Sequence, residues 1–203
     1  MRALFLSLAH KYSEDAVLIE TLWNEIEQAY AGKKRFYHNI GHLEHLYAQL
    51  LPVRERLEDE DAVWFALFYH DLIYQVTQHD NEEKSAKKAR TCLSAIGFPA
   101  ARIDRCAAHI LATKGHTWSS DPDTNLFTDA DLSILGQEES VYEAYCKAVR
   151  KEYAIYPDLL YRPGRKKVVR HFLDMARIYK TDYFFERLEA LARKNLEREA
   201  VQC

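Results

Sequence analysis

Apolar residues recur at helical spacing through almost the whole chain, and this periodicity limits the fold more than any other feature. Leu18, Leu22, Ile26 and Tyr30 follow at four-residue steps with Ile19 and Trp23 beside them, the stripe an amphipathic helix needs to bury one face. Ser13, Glu14 and Asp15 open that segment with a cap candidate and acidic first-turn residues. The same reasoning predicts helices over about 39–51, stopped by Pro52, and over about 59–74. Asp80 with Glu83 three residues on predicts a capping box for a fourth helix, and Gly97 followed by Pro99 ends it near Ile96. Further helices are expected over about 99–113, from the stretch DADLSIL, and over about 138–153, 164–177 and 181–199. GHTWSSDPDTNLF (115–127) and YPDLLYRPGR (156–165) carry turn chemistry and are expected to be irregular. No alternating strand pattern, repeat or low-complexity tract intervenes. The expectation is an all-α fold of about eight or nine helices, a single domain over 1–203.

With 203 residues, 48% of them hydrophobic, such a chain buries a core without covalent staples. A net charge of −3, with both signs mixed, argues against a sequence-wide basic footprint for a nucleic acid polymer and leaves room only for local cationic pockets. Cys92, Cys106, Cys146 and Cys203 form no C-x-x-C pair, so neither a zinc knuckle nor a disulfide framework is indicated and a reducing, cytoplasmic setting is the default. MRALFLSLAH is too short for a secretion signal, and no run approaches the roughly 18–20 apolar residues that cross a bilayer. No membrane partner is expected.

Against this background FALFYHDLIY (65–74) stands out, because an apolar helical stretch carries His70 and Asp71 at its centre. A buried carboxylate requires a hydrogen-bond donor or a cation. Two other short pieces belong beside it: YHNIGH (37–42) and DAD (129–131). Imidazole and carboxylate suit a divalent first-row metal, and two of each leave coordination positions open for water and substrate.

The ordered set of His38, then His70-Asp71, then Asp131 within TDADLSILG resembles the signature of the HD-domain superfamily of metal-dependent phosphohydrolases. YHN-x-x-H, F-x-HD-x-x-Y, DNEE-x-SA, DADLSILG, R-x-EY, GR and an NLE-type terminal helix are similar to a branch of small stand-alone members, covering roughly residues 33–199. The resemblance implies an HD-domain-like helical bundle. It also implies that His38, His70, Asp71 and Asp131 hold one divalent ion, which could be Mn, Co, Fe, Ni, Zn or Mg. The implied reaction is hydrolysis of a small phosphate ester, a nucleotide above all, by a metal-activated water. Two alternatives share the fold: a two-iron oxygenase, and a non-catalytic module that senses a nucleotide.

Several assignments stay open at this level. Asp129 or Asp131 could cap the helix that starts there, and the family pattern favours Asp131 as the ligand. His42, four residues after His38, reads as a donor behind the ligands or as a surface residue. Asp80 and Glu82 are candidate general bases, and His116, opening the long loop, is a candidate donor to substrate. His109 reads as a satisfied helix residue. Arg35, Arg150, Arg162 and Arg165 are candidate phosphate ligands by the fit of their planar forks.

Overall fold

The computed structural model describes residues 1–202, with the backbone alone for Gln202; Cys203 lies outside the described residues. Among them the chain is all-helical, with ten α-helices, more than the periodicity suggested, and two 3-10 turns. The helices are α1 (Arg2–Ala9), α2 (Ala16–Tyr30), α3 (Ile40–Leu50), α4 (Glu60–Tyr69), α5 (Asn81–Ala95), α6 (Ala100–Ala112), α7 (Pro122–Asp131), α8 (Glu139–Glu152), α9 (Asp158–Asp174) and α10 (Asp182–Gln202). The 3-10 turns span Leu51–Arg56 and Leu132–Gly136. The chain divides into two compact units, Met1–Thr128 and from Asp129 onward, and the boundary falls inside α7. No helix among the described residues is long and apolar enough to cross a membrane.

In the first unit α4 is the central helix. Every residue from Ala62 to Tyr69 is buried, the pattern of a helix surrounded on all sides, and α1, α3, α5 and α6 pack against it. Phe5 meets Phe68 edge-on at 5.1 Å, and Phe65 meets Phe98 at 4.9 Å, the offset geometry aromatic rings prefer. The start of α4 is fixed by three carboxylates. Asp59 accepts from Ala62 N at 3.0 Å, and the fully buried Asp123 accepts from the backbone N–H groups of Glu58 and Asp59, both at 2.8 Å. Arg102 in turn clasps Asp59 at 2.9 and 2.5 Å. Asp61 is held by Lys11 at 2.7 Å and Tyr12 at 2.5 Å.

Four boundaries differ from expectation, each for a local reason. Residues 122–127 are helical: Asp121 caps α7 by accepting from Asp123 N at 2.9 Å, and Pro122 takes the first helical position, where its missing N–H costs nothing. Residues 158–165 are helical too, because Pro157 precedes the helix and Pro163 lies on the exposed side of α9. α4 ends at Tyr69, so His70 and Asp71 occupy a turn at its C-terminus. The capping box at α5 does not form: Asp80 pairs with Lys84 at 2.9 Å and Glu83 with Lys114, while Asp80 makes no side-chain cap. The stop at Gly97 is where the sequence put it. Its φ is +77°, and Phe98 N donates to Leu93 O at 3.0 Å, the closing bond of a Schellman turn.

In the second unit the Leu132–Gly136 turn packs on α8 and α10, and α9 packs on α10. Gly136 is required there, since a Cβ would stand 2.6 Å from Leu188 Cβ and 2.8 Å from Leu188 O. Asn195 donates from one amide to Leu135 O at 2.9 Å and Gln137 O at 2.8 Å, fixing the same turn from α10.

Candidate metal centre

The HD turn begins where α4 stops. His70 is buried, and its Nδ1 lies 3.0 Å from Leu67 O. A carbonyl only accepts, so Nδ1 carries the proton, and in the neutral ring Nε2 presents a lone pair. That lone pair faces His42 Nε2 at 3.0 Å and Asp71 Oδ2 at 3.2 Å, with His42 Nε2 to Asp71 Oδ2 at 3.7 Å. A proton on His42 Nε2 would satisfy one contact and leave lone pair against carboxylate at the other. The three groups together demand a positive charge, carried by a proton on an imidazole or by a metal ion. Burial alone would raise the Asp71 carboxyl; positive charge on His70, then on His38 and His42, outweighs it and holds the group well below the usual carboxylate range.

The donor set fits a first-row ion. Metal–nitrogen bonds of about 2.0–2.1 Å place two imidazole nitrogens on one ion roughly 3 Å apart, close to the His42–His70 separation. The Leu67 carbonyl behind His70 is the kind of outer partner that fixes a ligating imidazole. Phe127, on α7, packs edge-on to His70 at 5.7 Å. His38 borders the cluster, stacked on Tyr74 at 4.2 Å with its ring 5.7 Å from that of His42.

The other sequence candidates have different roles. Asp129 is fully buried and accepts from Lys180 N at 2.9 Å, Thr181 N at 2.7 Å and Thr181 Oγ1 at 2.7 Å, so it fixes the start of α10 rather than capping a helix at its own position. Arg35 donates to three carbonyls, His38 O at 3.1 Å, Asp71 O at 2.7 Å and Leu72 O at 2.8 Å. It clamps the YHN loop to the HD turn. Arg165 is buried with its fork on Glu199 at 2.8 and 2.9 Å. Arg150 holds Asp158 at 2.9 and 2.7 Å and the carbonyls of Tyr153 and Tyr156. Arg162 is exposed and, with Lys147, Lys151 and Arg198, lines a cleft of about 750 Å³ in the second unit.

Asp80 is exposed beside Lys84, and Glu82 is half-buried on the first turn of α5. His116 is half-buried, with φ +49° and its N–H on Ala112 O at 2.9 Å, as the chain leaves α6. His109 is fully buried, its Nδ1 2.8 Å from Thr124 Oγ1 and its Nε2 without a hydrogen-bond partner among the described residues.

Sequence reasoning passed over the residues that brace the turn from α5. Asn81 accepts from Gln75 N at 3.1 Å and donates to Gln75 O at 3.0 Å, while Ser85 accepts from Ile73 N at 3.0 Å. These are the Asn and Ser of the DNEE-x-SA stretch, so the motif holds the segment that follows His70-Asp71 in place. Searches of family models, curated proteins and solved structures found no match for this chain.

Proposed function

We propose that this chain is a metal-dependent phosphohydrolase of the HD-domain type, acting on a small phosphate ester, with nucleotides the leading substrate class. The observation that carries the reading is the convergence of the His42 and His70 Nε2 atoms and Asp71 Oδ2 within 3.7 Å, with the His70 tautomer set by Leu67. A divalent ion held by His42, His70 and Asp71 would supply Lewis acidity and a water of lowered pKa. His42 replaces His38 in this set because its Nε2 meets that of His70, and His38 then flanks the ligands.

The chain's own residues divide the remaining work. Leu67 O and Arg35 hold the ligands in register before substrate arrives, which is the preorganisation such a site needs. Glu82 is the better candidate to accept a proton from the attacking water, since Asp80 is engaged with Lys84. His116 would donate to a phosphate or leaving oxygen in this reading, and Arg162 is the most exposed of the four arginines considered.

The test is to strip the protein of metal, reload it with Mn, Co, Fe, Ni, Zn or Mg in turn, and follow phosphate release from a panel of nucleotides and sugar phosphates. Release by at least one reloaded form, and none by His70→Ala, is the expected result. Tight nucleotide binding without phosphate release by any form would make the chain a sensing module instead. Oxygen-dependent absorbance changes in the iron form without hydrolysis would make it an oxygenase.

A further inference from the structure

Helix α9, DLLYRPGRKKVVRHFLD, carries no acidic residue between Asp158 and Asp174. Its inner side is set by Arg165, Val169 and Phe172, all buried. At 100° per residue the opposite side carries Leu160 and Lys167, with Leu159, Lys166 and Arg170 in a stripe beside them. Leu159 is 84% exposed and Leu160 62% exposed, and the three cations are exposed as well. Among the described residues neither Lys166, Lys167 nor Arg170 makes an ion pair, although the chain as a whole carries a net charge of −3.

Two adjacent leucines in water beside an unopposed cationic stripe are costly features for a surface with no partner. Nucleic acid phosphates would complement the cations and leave the leucines in water. An anionic lipid interface takes both, the leucines entering the headgroup boundary and the cations facing the lipid phosphates. We propose that the outward face of α9 docks the protein on anionic phospholipid surfaces. This inference is independent of the metal centre, so either reading can fail alone.

The experiment is flotation of the full chain with vesicles of phosphatidylcholine alone or of phosphatidylcholine with phosphatidylserine. Binding is expected only to the anionic vesicles and weakens as salt rises. Each cation at such a surface contributes roughly fivefold, so Lys166→Glu/Lys167→Glu/Arg170→Glu should weaken binding about a hundredfold or more. Leu159→Asn/Leu160→Asn should weaken it roughly tenfold. All five side chains are exposed, so both variants should keep the wild-type circular dichroism and melting temperature. Wild-type protein that stays with the unbound fraction, or a charge-reversed variant that floats like wild type, overturns the proposal. Tighter binding to a mixed-sequence oligonucleotide, indifferent to the leucine changes, also overturns it and makes the stripe a nucleic acid surface.

Discussion

The second unit buries Arg165 against Glu199, with Tyr145 Oη 3.2 Å from the same guanidinium and Tyr142 donating to the same carboxylate. The first unit gathers His42, His70 and Asp71, whose three converging atoms no single proton satisfies. In the former, donors and acceptors match and the charges cancel. In the latter, the backbone has taken the proton-bearing side of His70, and what converges is acceptor capacity. A closed cluster contributes to the fold, whereas an acceptor-rich one calls for a cation, and this difference, more than burial, separates a structural ion pair from a candidate site.

The largest effect that sharpens the contrast belongs to Asp71. Asp71→Ala should lower metal affinity by more than about a hundredfold and abolish hydrolysis, because one ligand and one negative charge leave together. Chelator should lower the melting temperature of the wild type and leave that of the variant unchanged. Equal chelator sensitivity would break the contrast from the metal side. Glu199→Ala should behave the other way: stability falls by about 3–5 kcal/mol in urea unfolding, since Arg165 is left charged and buried, while metal content per folded chain stays at the wild-type level.

His109 supplies a third test, as a buried imidazole outside the cluster. Burial pushes its pKa down to about 4, against the weaker upward pull of Asp121, and an unfolded His titrates near about 6.5. Between those values the unfolded chain binds a proton that the folded chain does not, so stability rises with pH through this window. The contribution is complete above about pH 6.5 and is lost as pH falls toward 4, amounting to roughly 3 kcal/mol. Urea titrations across that range should show the slope in the wild type and a weaker one in His109→Gln; an identical slope in both would assign it to other groups.

Arg35→Lys gives the smallest change. A lysine keeps the charge but cannot serve three carbonyls from one planar fork. Stability should fall by about 1–2 kcal/mol and metal affinity by roughly tenfold, measured by calorimetry. A loss as large as that of Asp71→Ala would mean that Arg35 does more than hold the backbone.

Much of this was readable in the chain. Helical periodicity gave the all-α class, and Gly97 gave a helix end. The Asp121-Pro122 pair was a legible cap and first-turn signal, yet it sat in a segment so rich in Ser, Asp and Thr that turn chemistry was the simpler reading. His42 could not be ranked over His38 from spacing, because the choice depends on where the turn before α3 leaves each ring. The partners of the arginines are hidden in the chain for a related reason. Arg35 and Arg165 look like surface forks in sequence, and only the fold reveals the carbonyls and the carboxylate that already occupy them.

The most direct measurement is the metal content of protein purified without chelator, by elemental analysis, for wild type, His42→Ala and His38→Ala. The account predicts about one divalent ion per chain in the wild type, a loss in His42→Ala, and near-normal content in His38→Ala. Wild-type protein that binds no divalent ion even after metal supplementation, or that keeps its ion in His42→Ala, would contradict it.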